Sequence, residues 1–301
     1  MSTAELTASP DGRTAAWGQR APGSVRQWGR LLGSELRLIF RRWRNLALLG
    51  VLVVLPVVLG IGLRVAMPHG GGGGGGGPNA TFFAELAGNG VFLAFIALTI
   101  LLTLVLPLVI AVVAGDSVAG EAGLGTLRYL LTVPAGRTRL LSVKYAAVVI
   151  FGLASCLLVS VVSLIMGVIL FPVGPVTLLS GTTVSLAEGL LRLLYVTLYV
   201  AAGMAALAAI GLAISTLTEH PIGAIAAILV LAVASEVADN VPQFAVIHPY
   251  LPTHFWLSFD SLLRVPIDGA DLLHGLLSFA VYIVIFCSLA WARFTSADVT
   301  S

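Results

Sequence analysis

Six long apolar stretches constrain this chain more than any other feature of its sequence. A helix needs about 20 apolar residues to cross the hydrocarbon core of a bilayer. Stretches near that length occupy residues 45–67, 91–114, 145–170, 190–217, 221–237 and 272–294. Only 10% of the 301 residues are charged, whereas soluble domains carry about a quarter. We therefore predict an all-α membrane protein with six transmembrane helices.

The basic residues predict the orientation of these helices. Thirteen of the sixteen fall on one side of a six-span bundle: Arg13, Arg20, Arg26, Arg30, Arg37, Arg41, Arg42, Arg44, Arg128, Arg137, Arg139, Lys144 and Arg293. Only Arg64, Arg192 and Arg264 fall on the other side. The positive-inside tendency then places both termini and residues 116–144 in the cytoplasm. The net charge of +2 is thus a signal of topology and not of nucleic-acid binding. We expect a multi-pass protein of the cell membrane, and a single lysine amid abundant Ala and Gly favours a bacterial source.

The cytoplasmic tail, residues 1–44, changes character at about residue 25. Residues 1–23 lack an apolar period and are predicted to be disordered. Beyond them, apolar residues recur every three or four positions at Val25, Trp28, Leu32, Leu36, Ile39 and Trp43, with arginines on the opposite face. This pattern predicts an amphipathic helix on the cytoplasmic membrane surface, its arginines directed toward lipid phosphates. Residues 295–301 form a second cytoplasmic tail.

The hydrophilic connection 116–144 is the strongest indication of function. Residues 125–131 can form a short helix with Leu124, Leu127, Leu130 and Leu131 on one side. Charges flank this apolar ridge at Glu121, Arg128, Arg137 and Arg139. Such a ridge suits a groove on a cytosolic partner. A helix lying on the lipid surface would show the same pattern, so both interpretations stay open.

Two connections are predicted on the outer side. Eight glycines, residues 70–77, lack side chains that could pack and predict a flexible tether. The aromatic connection, residues 238–271, predicts short helices or a re-entrant element, and His248 and His254 within it leave a metal or proton role open. Glu236 and Asp239 share one helical face, either as a solvated helix end or as a polar patch at the mouth of a pathway.

Two further features concern packing within the spans. Cys156 and Cys287 lie inside apolar stretches without supporting ligands, so we interpret them as packing residues and expect no metal site. Pro56 and Pro107 interrupt the first two spans and predict kinks.

A run of residues after the second span resembles permeases of the ATP-binding-cassette (ABC) type-2 exporter family. The run consists of Gly115-Asp116, Gly120-Glu121, Gly125-Thr126-Leu127-Arg128, Leu130-Leu131, Pro134, Arg137 and Lys144. The six spans, the first amphipathic helix and the aromatic connection are similar too, so the resemblance covers residues 25–294. It implies that residues 45–294 form a six-span permease domain.

The resemblance also implies partners and contact residues. The chain would pair with a second permease subunit, identical or homologous, and with two copies of a cytosolic ATPase subunit that binds ATP and magnesium. Residues 125–131 would be a coupling helix, and a second, smaller contact would be the turn 216–220. The implied contacts with the ATPase are Glu121, Gly125, Thr126, Leu127, Arg128, Leu130, Leu131, Pro134 and Arg137.

Sequence motifs indicate which chemistry this chain can perform by itself. No phosphate-binding G-x-x-x-x-G-K-[ST] motif is present, so ATP hydrolysis must come from another chain, and no catalytic residue is expected here. Spans rich in Leu, Val, Ala and Gly suit an apolar or amphipathic substrate. The alternatives are an intramembrane hydrolase, for which H-E-x-x-H, G-x-S-x-G and paired mid-membrane acids are lacking, and a membrane assembly subunit that transports nothing.

Overall fold

The computed structural model describes residues 25–66, 89–123, 137–178 and 180–296. This part of the chain is almost entirely helical. Its α-helices are α1 (Val25–Arg41), α2 (Trp43–Ala66), α3 (Phe92–Thr103), α4 (Val105–Gly123), α5 (Arg137–Leu170), α6 (Leu186–Leu217), α7 (Pro221–Asp239) and α8 (Gly269–Ser296).

Six of these helices, namely α2, α4, α5, α6, α7 and α8, are long and apolar enough to cross a membrane. The predicted all-α class, with six helices able to cross a membrane, is thereby confirmed for the described residues. Helix α6 lies at the centre and packs against α4, α5, α7 and α8. The outer faces of α2, α7 and α8 expose many apolar side chains, among them Val54, Val230 and Val284, which is the expected arrangement for helices surrounded by lipid.

The predicted second span, residues 91–114, is not one helix. It breaks at Leu104, whose φ of −141° separates α3 from α4. Pro107 has no N–H to donate to the carbonyl of Thr103 four residues earlier, and this is the position at which the helix ends. Pro56, by contrast, lies inside α2 without ending it.

The start of α3 approaches α5 backbone to backbone. A Cβ atom added to Gly90, in the turn before α3, would overlap the carbonyl group of Gly167 in α5. A Cβ atom on Gly167 would in turn overlap the carbonyl group of Gly90. The N–H of Gly90 also donates to the carbonyl of Pro172 at 2.9 Å. This contact fixes where α3 begins along α5.

The connection between α4 and α5 is shorter than the hydrophilic connection 116–144 predicted from the sequence. Helix α4 continues to Gly123 and α5 starts at Arg137, so both flanks of the connection belong to long helices. The predicted coupling helix, residues 125–131, lies outside the described residues. Outside them too lie the predicted disordered tail 1–23, the glycine tract 70–77 and the C-terminal tail from residue 297.

The aromatic connection contains three 3₁₀ helices, Pro242–Phe244, His248–Tyr250 and Ser258–Leu263, in keeping with the prediction of short helices. Two antiparallel strands of two residues each, β1 (Val176–Thr177) and β2 (Thr183–Val184), lie between α5 and α6. They are too short to show a sequence period. Arg192 Nη1 of α6 donates to the carbonyl of Leu262 at 2.6 Å and so joins α6 to the third 3₁₀ helix. We call this end of the bundle, with the strands and the 3₁₀ helices, the aromatic end.

Candidate functional site at the basic end of the bundle

The opposite end of the bundle, which we call the basic end, gathers the α1–α2 junction, the end of α4, the start of α5, the α6–α7 turn and the end of α8. Trp291 Nε1 of α8 donates to Thr138 Oγ1 of α5 at 2.9 Å. The basic residues that the described ranges place on these elements are Arg26, Arg30, Arg37, Arg41, Arg42, Arg44, Arg137, Arg139, Lys144 and Arg293. Arg64, Arg192 and Arg264 lie on elements that lead to the aromatic end. The charge asymmetry inferred from the sequence therefore exists in the fold, while the orientation of the bundle in the cell stays a prediction.

Lys144 is the centre of a buried ionic cluster at this end. Its side chain is only 2% exposed, and Nζ lies 2.6 Å from Glu121 Oε1 of α4 and 3.5 Å from Glu35 Oε1 of α1. Removing an ammonium group from water is costly unless carboxylates surround it. The two glutamates supply that compensation, so one lysine of α5 joins three helices.

Asp116 forms a second ionic contact one turn further into the bundle. Its carboxylate accepts a hydrogen bond from Arg42 Nη1, and Arg44 Nη2 lies 3.0 Å from the same oxygen, Oδ2. Both arginines flank Trp43 at the α1–α2 junction. A Cβ atom at Gly120 would lie 2.6 Å from Asp116 Oδ1, so glycine at that position leaves space for the carboxylate. Asp116 thus joins the α1–α2 junction to α4.

A small cavity lies between these two contacts. Its volume is about 20 Å³, and its lining includes Glu35, Asn45, Asp116, Glu121 and Lys144. Asn45 is 2% exposed; its Nδ2 donates to the carbonyl of Ile39 at 2.9 Å, while its Oδ1 has no partner in the described part of the chain. A cavity of this size has room for about one water molecule.

Ser215 attaches α6 to α4. The fully buried hydroxyl donates to the carbonyl of Gly115 at 2.8 Å and accepts from the N–H groups of Ala119 at 2.9 Å and Val118 at 3.2 Å. Hydrogen bonds between a side chain and the backbone of a neighbouring helix fix both the spacing and the register of the two helices. The last turns of α4 are therefore attached to three partners: to the α1–α2 junction through Asp116, to Lys144 of α5 through Glu121, and to α6 through Ser215.

The end of α4 also lies against the α6–α7 turn. A Cβ atom at Gly123, the last residue of α4, would be 2.9 Å from the carbonyl oxygen of Glu219. Glu219 lies within the predicted smaller contact, residues 216–220. The end of α4 and the smaller predicted contact are therefore neighbours at this end of the bundle.

The nine contact residues predicted from the sequence fall into two groups, those inside and those outside the described part of the chain. Glu121 lies in the ionic cluster with Lys144, and Arg137 is the first residue of α5. The remaining seven, Gly125, Thr126, Leu127, Arg128, Leu130, Leu131 and Pro134, lie outside the described residues. The apolar ridge and its contacts therefore stay a prediction.

Sequence reasoning missed a polar contact at the aromatic end. His254 Nδ1 lies 2.6 Å from Asp239 Oδ1, and His248 Nδ1 lies 3.9 Å from the same oxygen. Ser235 and Thr253 share a buried hydrogen bond of 2.9 Å beside them. Asp239 is therefore a point of attachment between α7 and the aromatic connection. The pairing is hidden in the sequence because Asp239 and His254 are fifteen positions apart, across two short 3₁₀ helices. Within the described ranges, no three His, Cys, Asp or Glu side chains are grouped so that they could hold a metal ion.

The fold and these contacts define a helical protein with six helices able to cross a membrane, joined at one end by ion pairs that are buried at Lys144 and partly buried at Asp116. Residues 78–300 match the family model described as "Protein of unknown function (DUF2705)". Because the match covers most of the chain, the chain belongs to this family. No curated protein matches the chain.

Proposed function

We propose that this chain is the transmembrane permease subunit of an ABC type-2 exporter. It would move an apolar or amphipathic substrate out across the membrane with ATP hydrolysed by a separate subunit. One observation supports the proposal above the others: Gly123, the last residue of α4 before segment 124–136, lies against Glu219 in the smaller predicted contact, residues 216–220.

The attachments of α4 suit the transmission of a movement. Asp116, Glu121 and the α4 backbone at Gly115, Val118 and Ala119 are all held by partners on other helices. Ion pairs in a buried setting are screened little by salt and solvent. A force applied to segment 124–136 would therefore shift α4 together with the helices attached to it. The end of α4 would not simply bend while the rest of the helix stayed in place.

In the proposed mechanism, closure of two ATPase subunits around ATP and magnesium displaces segment 124–136. Through the ion pair of Lys144 with Glu121, α5 would move together with α4. Through the ion pair of Arg42 with Asp116, the α1–α2 junction would move with α4 too. The break at Leu104 lets α4 change its angle to α3, which stays packed on α5. A second permease subunit, identical or homologous, would complete the pathway for the substrate.

The test is co-purification of the tagged chain, at its native level, from the membranes of its own source in a mild detergent. We expect the wild-type chain to co-purify with a second subunit that lacks membrane spans. This subunit should be labelled by 8-azido-ATP and should hydrolyse MgATP. Leu127→Asp should lower its recovery at least tenfold, because burial of a leucine contributes about 1.5 to 3 kcal/mol and a carboxylate adds a desolvation penalty. Arg128→Ala should be milder and should mainly change the salt dependence of association.

Ser142→Asp is the matched control, since it places the same carboxylate on an exposed residue of α5 near the same end. It should keep both the ATPase and transport. Retention of both by Leu127→Asp would instead favour a helix on the lipid surface. Absence of any nucleotide-hydrolysing subunit would favour an assembly subunit without transport, and hydrolysis of a lipid or peptide by the purified chain alone would favour an intramembrane enzyme.

A further inference from the structure

The arginines around the α1–α2 junction fall into two groups. Arg42 and Arg44 are engaged by Asp116. Arg37 and Arg41 are exposed, and neither has a hydrogen-bond or ion-pair partner in the part of the chain that the structure describes. The first pair thus has a structural partner, whereas the second pair presents two guanidinium groups outward.

Arg37 and Arg41 lie on one face of α1, because residues four apart in a helix are neighbours. With Ser34, Leu38 and Arg42 they line an open groove of about 450 Å³. The hydroxyl of Ser34 already donates to the carbonyl of Leu31 at 2.7 Å, so the donors available to a ligand are the guanidinium groups. Two like charges at this spacing repel each other, and an anion between them removes that repulsion.

The surface beside the groove is apolar and continues onto a membrane-spanning helix. Leu38 is 47% exposed, Trp43 is 82% exposed and Leu46 is 52% exposed. From Leu46 the exposed apolar surface runs along α2 through Val51 and Val54. A ligand that fits this surface has an anionic group and an apolar portion attached to it.

We propose that Arg37 and Arg41 form a binding site for the phosphate of an anionic phospholipid. The acyl chains lie along Leu46 and the exposed face of α2, and the indole of Trp43 lies at the boundary between headgroup and chains. Guanidinium groups bind phosphate through two parallel hydrogen bonds, which an ammonium group cannot reproduce. A free phosphate ion or a nucleic acid would leave the exposed Trp43 and Leu46 in water, so a lipid satisfies both parts of the surface. This site is independent of the proposed transport function.

The test is a lipid titration of the purified full chain, followed by native mass spectrometry. Dioleoyl phosphatidylglycerol is the anionic probe and dioleoyl phosphatidylcholine is the zwitterionic probe with the same acyl chains. For the wild-type chain we expect phosphatidylglycerol to bind at least about tenfold more tightly, since a hydrogen bond to a charged group contributes a factor of that order. Arg37→Gln/Arg41→Gln should abolish this preference, and Arg37→Lys/Arg41→Lys should restore only part of it.

The control Arg264→Gln/Arg293→Gln removes two exposed arginines elsewhere and should keep the preference. Equal binding of both lipids by the wild type, or an undiminished preference in the Arg37→Gln/Arg41→Gln variant, overturns the proposal. So does an equal loss in the control, which would indicate a general effect of charge. Displacement of phosphatidylglycerol by millimolar inorganic phosphate would assign the groove to a free anion instead and would also overturn it. Thermal unfolding of each variant checks that its fold is retained.

Discussion

The ammonium nitrogen of Lys144 lies 2.6 Å from Oε1 of Glu121, and this contact joins the start of α5 to the end of α4. Glu35 of α1 approaches the same nitrogen at 3.5 Å. Lys144 is also the only lysine in the chain. Three helices therefore share one buried cation, so a single substitution at this position removes an ionic contact from all of them.

Substitution of Lys144 should destabilise the protein strongly. Lys144→Met leaves the carboxylates of Glu35 and Glu121 buried without their cation, and loss of one member of a buried ion pair costs about 3–5 kcal/mol. Thermal unfolding in detergent should show a clearly lower midpoint. Arg293→Met, which removes an exposed charge at the same end, should change stability by less than about 0.5 kcal/mol. Equal midpoints for the two variants would contradict a structural role for the cluster.

Ser215→Ala should loosen the contact between α6 and α4. The substitution leaves the buried carbonyl of Gly115 without its hydroxyl donor, and a buried group that loses its partner costs about 1–3 kcal/mol. The free energy of unfolding measured by urea or heat should fall by that amount. Ser142→Ala, which removes an exposed hydroxyl bonded to the carbonyl of Arg139, is the matched control and should be close to neutral. An effect in the control as large as in Ser215→Ala would argue against this contact.

Gly167→Ala should force α3 and α5 apart. The new methyl group would overlap the carbonyl group of Gly90, and insertion of a methyl group into a tightly packed contact costs about 1–3 kcal/mol. Gly62→Ala offers the opposite case, since no atom lies within 4 Å of the added Cβ and alanine is the better helix former by about 1 kcal/mol. The two variants should therefore shift the thermal midpoint in opposite directions. A stabilising Gly167→Ala would show that the two backbones are not in close contact.

The orientation inferred from basic residues can be tested with an impermeant thiol reagent on intact cells. In a background without Cys156 and Cys287, a cysteine at Gly74 should react, whereas cysteines at Ser24 and Gly136 should react only after the cells are opened. The positive-inside tendency assigns Gly74 to the outer side and the other two positions to the cytoplasmic side. Labelling of Ser24→Cys and Gly136→Cys in intact cells would reverse the assignment.

Much of the fold was predictable because hydropathy alone decides where a chain can cross a bilayer. The predicted stretch 221–237 corresponds to α7, Pro221–Asp239, and the apolar period from Val25 corresponds to α1. Pro107 signalled a disturbance in the second span, and the structure places a complete break three residues before it. These features follow from local physics of the backbone and of the apolar side chains.

The candidate site was less predictable because its contacts join distant parts of the chain. Lys144 and Glu121 are 23 residues apart, and Arg42 and Asp116 are 74 residues apart. A charged residue next to an apolar stretch is expected to face water, so the sequence gives no sign that Lys144 is buried. The packing of α1 and α4 against α5 encloses it. The apolar ridge at 124–131, which is the main functional indication in the sequence, lies outside the described residues and stays a prediction.

The contact between Gly90 and Gly167 has a consequence for the evolution of this chain. Each glycine faces the carbonyl group of the other, so a side chain gained at either position cannot be accommodated by a smaller residue at its partner, which is already the smallest. No sequence of single substitutions can therefore exchange the two positions for a larger pair while the helices keep this spacing. Descendants of this sequence that replace either glycine must also have moved the start of α3 away from α5.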